Sequence, residues 1–179
     1  MTSVYLAGPD VFLPDAVAVG ARKREMCAAA GFTAHYPLDA ATDAAGRSPR
    51  EHGFALARAN EDLIRRCEIM FANLSPFRSP GVDPGTAFEI GFARALGLRV
   101  YGYSCREALF TARTLYYSGM DDDAASDVHG YAIERFGLVD NLMIDGAIAA
   151  SDGHIVCVES DDLPAFPAFE ALLRSLRDS

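Results

Sequence analysis

The sequence predicts an α/β fold in which helices cover both faces of a parallel β-sheet. Short apolar segments alternate with segments whose apolar residues recur at helical spacing, and short connections join them, as in βαβ units. Residues 68–74 are apolar almost throughout, which is typical of a strand buried on both faces of such a sheet. The 179 residues correspond to one domain of ordinary size, so we expect a single domain over residues 1–179.

Five strands are predicted on short, β-prone segments that end at Gly, Pro or polar turn residues. The first strand ends at Gly8-Pro9, and the third ends at Ser75-Pro76. We expect the third strand to be central, because its side chains are apolar on both faces. In chain order the predicted strands are residues 3–7, 32–36, 68–74, 98–103 and 154–158.

Four helices are predicted by apolar residues that recur every three or four positions. The first stops at Gly31 and the third at Gly97, and glycine commonly follows the end of a helix. The last is amphipathic and has Pro164 near its start. In chain order the predicted helices are residues 14–30, 54–66, 85–96 and 162–176.

Two regions interrupt the alternation of strands and helices. Residues 40–52 are polar and contain Pro and Gly, which indicates a surface loop. Residues 104–140 include three consecutive aspartates at 121–123 and have little apolar material after residue 116. We expect residues 104–140 to form an inserted loop that is mobile or contacts a partner.

Composition excludes two classes of partner. The 16 basic and 25 acidic residues give a net charge of −9 at pH 7, whereas a protein that binds nucleic acid through its phosphates needs a basic face. No apolar run approaches the ~18 residues of a membrane-spanning helix. We therefore expect neither a nucleic-acid partner nor a membrane partner.

The acidic excess is confined to the last third of the chain. Residues 1–115 carry 13 basic and 12 acidic residues, and residues 116–179 carry 3 and 13. The loops that follow the first four strands therefore lie in the nearly neutral part. This balance favours an uncharged small molecule over a phosphorylated one.

Motifs for metals, nucleotide cofactors and export are missing from the sequence. The four cysteines are at least 38 residues apart, and no histidine stands at ligand spacing. Residues 7–12 match neither a dinucleotide-binding motif nor a P-loop. An apolar strand begins almost at once, without the basic and long apolar regions of a signal peptide. We expect no metal, no cofactor and a cytoplasmic location.

The candidate chemistry lies at the carboxyl ends of the strands, where open parallel sheets bind ligands. Residues 75–91 are the richest segment and contain two carboxylates, Asp83 and Glu89. Glu89 shares a helix face with Phe92 and Ala93, so its carboxylate points toward the packed side and is partly desolvated. The nearby helix N-terminus favours its anion. A poorly hydrated anion of this kind suits a nucleophile.

Structural explanations for the same residues remain open at this point. Thr86-x-x-Glu89 matches a capping box, and Asp83-Pro84 matches an N-cap followed by Pro at the first helical position. Tyr5 is either a core aromatic or a hydrogen-bond donor to an active-site carboxylate.

Three further residues also have two interpretations. Asn60 is either a solvated helix residue or an inward polar ligand. Asn141 can be explained by turn chemistry and Met143 by core packing.

In these residues the sequence resembles the nucleoside 2-deoxyribosyltransferase family. The resemblance covers nearly the whole chain and includes Tyr-Leu-Ala-Gly-Pro-Asp-Val-Phe after the start and Asp-Pro-Gly-Thr-Ala-Phe-Glu-Ile-Gly around the two carboxylates. The ordered blocks are residues 5–12, 36–39, 60 with 75–78, 83–91 and 141–144.

The resemblance implies a flavodoxin-like, doubly wound, five-stranded parallel sheet and base exchange between 2′-deoxynucleosides. By the same resemblance, Glu89 would attack C1′ and form a covalent deoxyribosyl-enzyme. Asp83 would help protonate the leaving base, and Tyr5 would orient Glu89. The substrate would be a nucleoside together with a free nucleobase. The residues implied in substrate binding are Gly8, Pro9, Phe12, Asp39, Asn60, Asn141 and Met143.

The resemblance also implies a homo-oligomer. Asn141, with Met143 beside it, would be lent by a neighbouring subunit to hold the 5′-hydroxyl. The site would then be shared between subunits.

Two other functions remain open. One is an N-glycosidase that hydrolyses nucleosides or nucleoside 5′-monophosphates on the same fold, although Asp10 after the first strand would repel a phosphate. The other is a non-catalytic nucleotide-sensing module that uses residues 104–140 as a partner surface. Glu89 would be dispensable in such a module.

Overall fold

The sheet has five parallel strands whose order along the sheet differs from their order in the chain. A computed structural model describes residues 1–39 and 45–177. Within these ranges the strands are β1 (Thr2–Ala7), β2 (Phe32–His35), β3 (Ile69–Asn73), β4 (Arg99–Ser104) and β5 (Ile155–Cys157). Their spatial order is β2-β1-β3-β4-β5, which is the flavodoxin-like order. The predicted fold class and single domain are confirmed, with β3 at the centre.

Helices cover both faces of this sheet. In the described ranges they are α1 (Ala16–Ala29), α2 (Pro49–Arg65), α3 (Pro84–Ala95), α4 (Phe110–Ser118), α5 (Leu142–Ala149) and α6 (Phe166–Arg177). None of those described helices combines the length and the apolar character that a membrane crossing requires.

The two faces of the sheet have separate cores because side chains alternate along each strand. Tyr5 of β1 belongs to the core shared with α2, α3 and α5, which also contains Met70 and Ile90. Leu6 belongs to the opposite core, where Phe169 of α6 packs with the residues of α1. A side chain in β1 can therefore reach α3 only from the Tyr5 face.

Helix α2 begins earlier than the sequence predicts. Ser48 caps it and forms a capping box with Glu51, while Pro49 occupies the first helical position. The predicted surface loop over residues 40–52 is therefore wrong from residue 49 onward, and residues 40–44 lie outside the described residues. The capping signal was present in the sequence.

The inserted segment 104–140 contains helix α4, so the prediction of an irregular loop is wrong over Phe110–Ser118. Two of the residues that the helix buries are Arg113 and Leu115, whereas Tyr116 and Tyr117 are exposed. The apolar pattern was concealed because a charged residue lies on the buried face. Helix α5, which was not predicted, begins just after this segment.

Candidate active site

A hydrogen bond between strand β1 and helix α3 defines the candidate site. The hydroxyl of Tyr5 donates to Oε1 of Glu89 over 2.6 Å. Tyr5 is fully buried in the sheet, and Glu89 is partly buried in the second turn of α3. The capping-box interpretation of Glu89 is wrong, since the Thr86 amide donates to Asp83 instead.

The surroundings of Glu89 hold its proton unusually tightly. Burial raises the pKa of Glu89 to about 7, and the charge of Asp83 adds to the rise, while the hydrogen bond from Tyr5 opposes it. Burial and the Glu89 charge raise the pKa of Tyr5 far above its usual value. Tyr5 is therefore a permanent donor, and Glu89 changes its charge near neutral pH.

Asp83 begins helix α3 as its N-cap residue. Its Oδ2 accepts hydrogen bonds from the Thr86 amide at 2.9 Å and from the Thr86 hydroxyl at 3.1 Å. The capping interpretation of Asp83 is therefore confirmed. Its charge also acts on Glu89, so one short helix brings both carboxylates to the same edge of the sheet.

The loop after β1 approaches β3 closely at Gly8. A Cβ on Gly8 would lie 2.7 Å from the Cβ of Asn73, so only glycine fits here. Pro9 opens a short 3₁₀ turn, which ends at Phe12. This turn crosses the point between β1 and β3 where the strand order reverses, and such points are the usual ligand sites of doubly wound sheets.

Phe12 forms part of an aromatic wall at this edge. Its ring is stacked on Phe77 with 5.2 Å between ring centroids, and the Arg78 guanidinium lies 4.5 Å from the Phe77 centroid. Phe12 is 57% exposed. Phe12 therefore presents apolar ring surface to solvent, which suits contact with a planar ring.

Asp39 and Asn60 differ in how their polar atoms are satisfied. The Asp39 carboxylate forms an ion pair with Arg24 and accepts from the Tyr36 amide at 2.8 Å. The Oδ1 of Asn60, on α2, is buried and has no hydrogen-bond partner among the described residues. A buried acceptor without a partner costs free energy in the unliganded protein, so Asn60 is the better placed of the two for a ligand contact.

Asn141 and Met143 lie on the other side of α3 from Glu89. Asn141 caps α5 through its contact with the Met143 amide at 3.0 Å, and it donates to Glu134 at 2.6 Å. The core-packing interpretation of Met143 is wrong, because its side chain is 70% exposed.

Both residues line a cleft of about 940 Å³ between α3 and α5, together with Phe88, Gly91 and Arg94. The lining of this cleft is mainly apolar. The groups that can carry out chemistry lie near Glu89, whose side chain faces β1. Within one chain, the structure does not bring Asn141 onto the Glu89 side of α3.

A buried ion pair beneath the loop after β1 was missed by the sequence analysis. The Lys23 Nζ donates to Asp10 Oδ2 at 2.7 Å and to the Tyr103 hydroxyl at 2.8 Å, and Asn73 Nδ2 donates to Asp10 Oδ1 at 3.0 Å. Lys23 is 0% and Asp10 3% exposed. The Asp10 carboxylate, on which the expected repulsion of a phosphate depends, is therefore paired with Lys23 inside the protein.

A signal for Lys23 existed in the sequence. It is the only lysine in the chain, and it follows Ala16 and Val19 on one stripe of α1 that continues to Cys27. A lysine on an otherwise apolar helical stripe indicates a buried charge with a partner.

Within residues 1–39 and 45–177, no group of three His, Cys, Asp or Glu side chains is arranged to hold a metal ion. The reactive groups of the site are two carboxylates and a phenol. A desolvated carboxylate can attack an electrophilic carbon, and a second carboxyl group can transfer a proton to the group that leaves.

Comparison with known proteins identifies the family of this chain. The profile of the nucleoside 2-deoxyribosyltransferase family matches residues 4–143. A solved 2-deoxyribosyltransferase from Leishmania mexicana is 31% identical with a TM-score of 0.65, and the match covers 96% of this chain and 98% of that one.

Two further proteins are similar over nearly the whole chain. An uncharacterised protein of Schizosaccharomyces pombe is 27% identical over 97% of this chain and 87% of its own length. A CMP N-glycosidase from Clostridium botulinum, 17% identical with a TM-score of 0.50 over 99% of this chain and 100% of that one, shares the fold. With the family profile spanning both carboxylates and the tyrosine, the chain belongs to the nucleoside 2-deoxyribosyltransferase family.

Proposed function

We propose that this protein transfers a 2′-deoxyribosyl group from one nucleobase to another, with Glu89 as the nucleophile. The observation that carries the proposal is the contact between Glu89 and Tyr5, at a carboxylate whose pKa burial raises to about 7. Family membership supports nucleosides and free nucleobases as the substrate class. A non-catalytic module has no need of a desolvated carboxylate with its own phenol donor.

In the first step, a Glu89 oxygen forms a bond to C1′ while the bond from C1′ to the base nitrogen breaks. The electron pair of that bond moves to the base, which takes a proton from the Asp83 carboxyl group. Tyr5 keeps the attacking carboxylate in one orientation through its hydrogen bond. The product is a deoxyribosyl ester of Glu89 and a free base.

In the second step, a nitrogen of the incoming base attacks C1′ and the ester bond to Glu89 breaks. The incoming base gives its proton to Asp83, so the enzyme returns to its starting state. Two displacements at C1′ retain the configuration of the sugar. The exposed face of Phe12 and the buried oxygen of Asn60 support roles in holding the base.

Hydrolysis is the second candidate. In that reaction water replaces the incoming base in the second step, and the outcome depends on how well the closed site excludes water. The pairing of Asp10 with Lys23 favours keeping nucleoside 5′-monophosphates among the substrates to test, because no free negative charge of Asp10 opposes a phosphate.

The test is incubation of the protein with 2′-deoxyinosine, with and without adenine, followed by chromatography. Formation of 2′-deoxyadenosine is the expected result. Release of hypoxanthine without exchange would instead support hydrolysis, and a parallel reaction with 2′-deoxyinosine 5′-monophosphate identifies a nucleotide substrate. If none of these products forms, both enzymatic proposals fail for this substrate class.

The pH profile should follow the ionisation of Glu89. Because the attacking form is the anion and the pKa is about 7, kcat/KM should rise about tenfold per pH unit as the pH approaches 7 from below. Tyr5→Phe removes the hydrogen bond that stabilises the anion, so the midpoint should move to higher pH. Initial rates between pH 5 and pH 8 check both, and a flat wild-type profile would contradict the role of Glu89.

We also propose that the complete site forms in a homo-oligomer, with Asn141 supplied by a neighbouring subunit. The support is the exposed apolar surface of Phe88, Leu142 and Met143 beside Asn141. Mixed chains carrying Glu89→Ala and Asn141→Ala should recover activity, because one site in such a hybrid is intact. No recovery, in chains shown by sedimentation to associate and exchange, would count against a shared site.

A further inference from the structure

One buried carboxylate joins the two segments that carry Asp83 and Asn141. The Oδ2 atom of Asp140 accepts a hydrogen bond from the Val82 amide at 3.0 Å, and its Oδ1 accepts from the Asn141 amide at 2.8 Å. Val82 directly precedes Asp83 in the chain. Asp140 is only 2% exposed, so these contacts are made away from competing water.

Helix α4 supplies the partner of this carboxylate. The Arg113 Nη2 lies 3.2 Å from Asp140 Oδ2, its Nε donates to the Pro80 carbonyl at 2.8 Å, and its Nη1 donates to the Ala108 carbonyl at 2.7 Å. Arg113 is also buried. One guanidinium therefore fixes the loop before α3 at Pro80 and, through Asp140, at Val82.

Stability alone does not account for this pair. Burying two charges costs several kcal/mol of desolvation, and well-packed apolar residues often serve stability as well or better. What an apolar pair cannot do is hold two backbone amides and two carbonyls in fixed directions. Gly81 leaves room for this arrangement, since a Cβ there would lie 3.1 Å from Asp140 Oδ1.

We propose that Arg113 and Asp140 are positioning residues that hold Asp83 where it protonates the leaving base. The inference rests on the proposed function. Asp83 is fixed from the helix side by Thr86 and from the loop side by the contact of Asp140 with Val82. Without the second anchor, the residue next to Asp83 is no longer held, and the loop keeps only the contact of Arg113 with Pro80.

The experiment compares two leaving groups. Hypoxanthine needs a proton when it leaves 2′-deoxyinosine, whereas 7-methylguanine leaves 7-methyl-2′-deoxyguanosine as a neutral base without one. Because a positioned acid contributes ~10²-fold or more, Asp140→Asn should slow release of hypoxanthine by about 10²-fold. Release of 7-methylguanine should slow by less than about threefold, since no proton transfer is lost.

Two variants serve as controls for a merely structural effect. Asp83→Asn should show the same dependence on the leaving group as Asp140→Asn. Asp145→Asn alters a carboxylate that also accepts from two backbone amides, those of Val139 and Asp140, but that does not reach the loop before Asp83. The Asp145→Asn substitution should change the rate of base release from both substrates by the same factor.

Single-turnover base release by folded variants, checked by circular dichroism, distinguishes the outcomes. If Asp140→Asn does not fold, Arg113→Lys takes its place, because it keeps the charge and loses the contacts to Pro80 and Ala108; about a tenfold loss confined to 2′-deoxyinosine is expected. An equal loss on both substrates would overturn the inference. A wild-type protein inactive on both would overturn the proposed function instead.

Discussion

The Glu89→Ala substitution should lower the rate of base exchange by at least ~10³-fold while the protein keeps its fold. The variant lacks the carboxylate that forms the covalent intermediate, and neither Tyr5 nor Asp83 can replace it, because Tyr5 remains protonated and Asp83 is held by Thr86. The measurement is the rate of 2′-deoxyadenosine formation from 2′-deoxyinosine and adenine. Exchange at the wild-type rate would refute the nucleophile assignment.

Glu89→Gln should be equally inactive and more stable at alkaline pH. Burial raises the pKa of Glu89 from its usual 4.5 to about 7, so the folded protein binds this proton more tightly than the unfolded chain. That stability is present below pH 4.5 and is lost as the pH rises through 7. At pH 8 the neutral amide removes the cost of a buried charge, and the free energy of unfolding should rise by about 3 kcal/mol.

Urea unfolding at pH 5 and pH 8 measures this difference. Glu25→Gln is a suitable control, because Glu25 is an exposed glutamate on α1, and it should behave alike at both pH values. A Glu89→Gln protein that is no more stable than the wild type at pH 8 would show that Glu89 carries no desolvation cost.

Lys23→Met should lower the free energy of unfolding by about 3–5 kcal/mol, because it leaves the buried Asp10 charge without its partner. Tyr103 loses the same contact. The double variant Asp10→Asn/Lys23→Met should be more stable than Lys23→Met alone, since the amide removes the unpaired charge while its oxygen still accepts from Asn73.

Chemical denaturation of the single and double variants checks this prediction. Arg22→Met provides the control on the same helix. Arg22 is exposed, and its guanidinium lies 3.9 Å from the centroid of Phe166. This substitution should lower the free energy of unfolding by less than about 1 kcal/mol. A double variant no more stable than the single one would show that the unpaired charge is not the cause.

The sequence predicted elements whose buried faces consist mainly of apolar residues. The central strand over residues 68–74 was recognisable because both of its faces are covered, and the strand ends located the site edge that carries Tyr5 and Glu89. Family resemblance supplied the roles proposed for these residues. Periodicity could not decide between capping and catalysis for Glu89, because this residue stands at capping-box spacing from Thr86 and also on the packed face of the helix.

Two of the features that the sequence analysis missed, the inward faces at Arg113 and Lys23, bury charge. Helix α4 turns Arg113 inward, and α1 turns Lys23 inward, so a search for apolar stripes does not register their full buried faces. Arg113 pairs with Asp140, and Lys23 pairs with Asp10. In both pairs the carboxylate lies outside the helix that carries its partner. Such pairs become visible only when the fold brings the partners together.

The burial of Lys23 makes it a built-in reporter of unfolding. An amine-reactive reagent cannot reach an ammonium group that is completely enclosed and hydrogen bonded to Asp10 and Tyr103. Acylation at the one lysine of the chain therefore requires helix α1 to open, and mass spectrometry of the peptide that carries Lys23 would distinguish it from acylation of the exposed N-terminal amine. The arginine-rich surface does not interfere, because guanidinium groups stay protonated and unreactive toward such reagents.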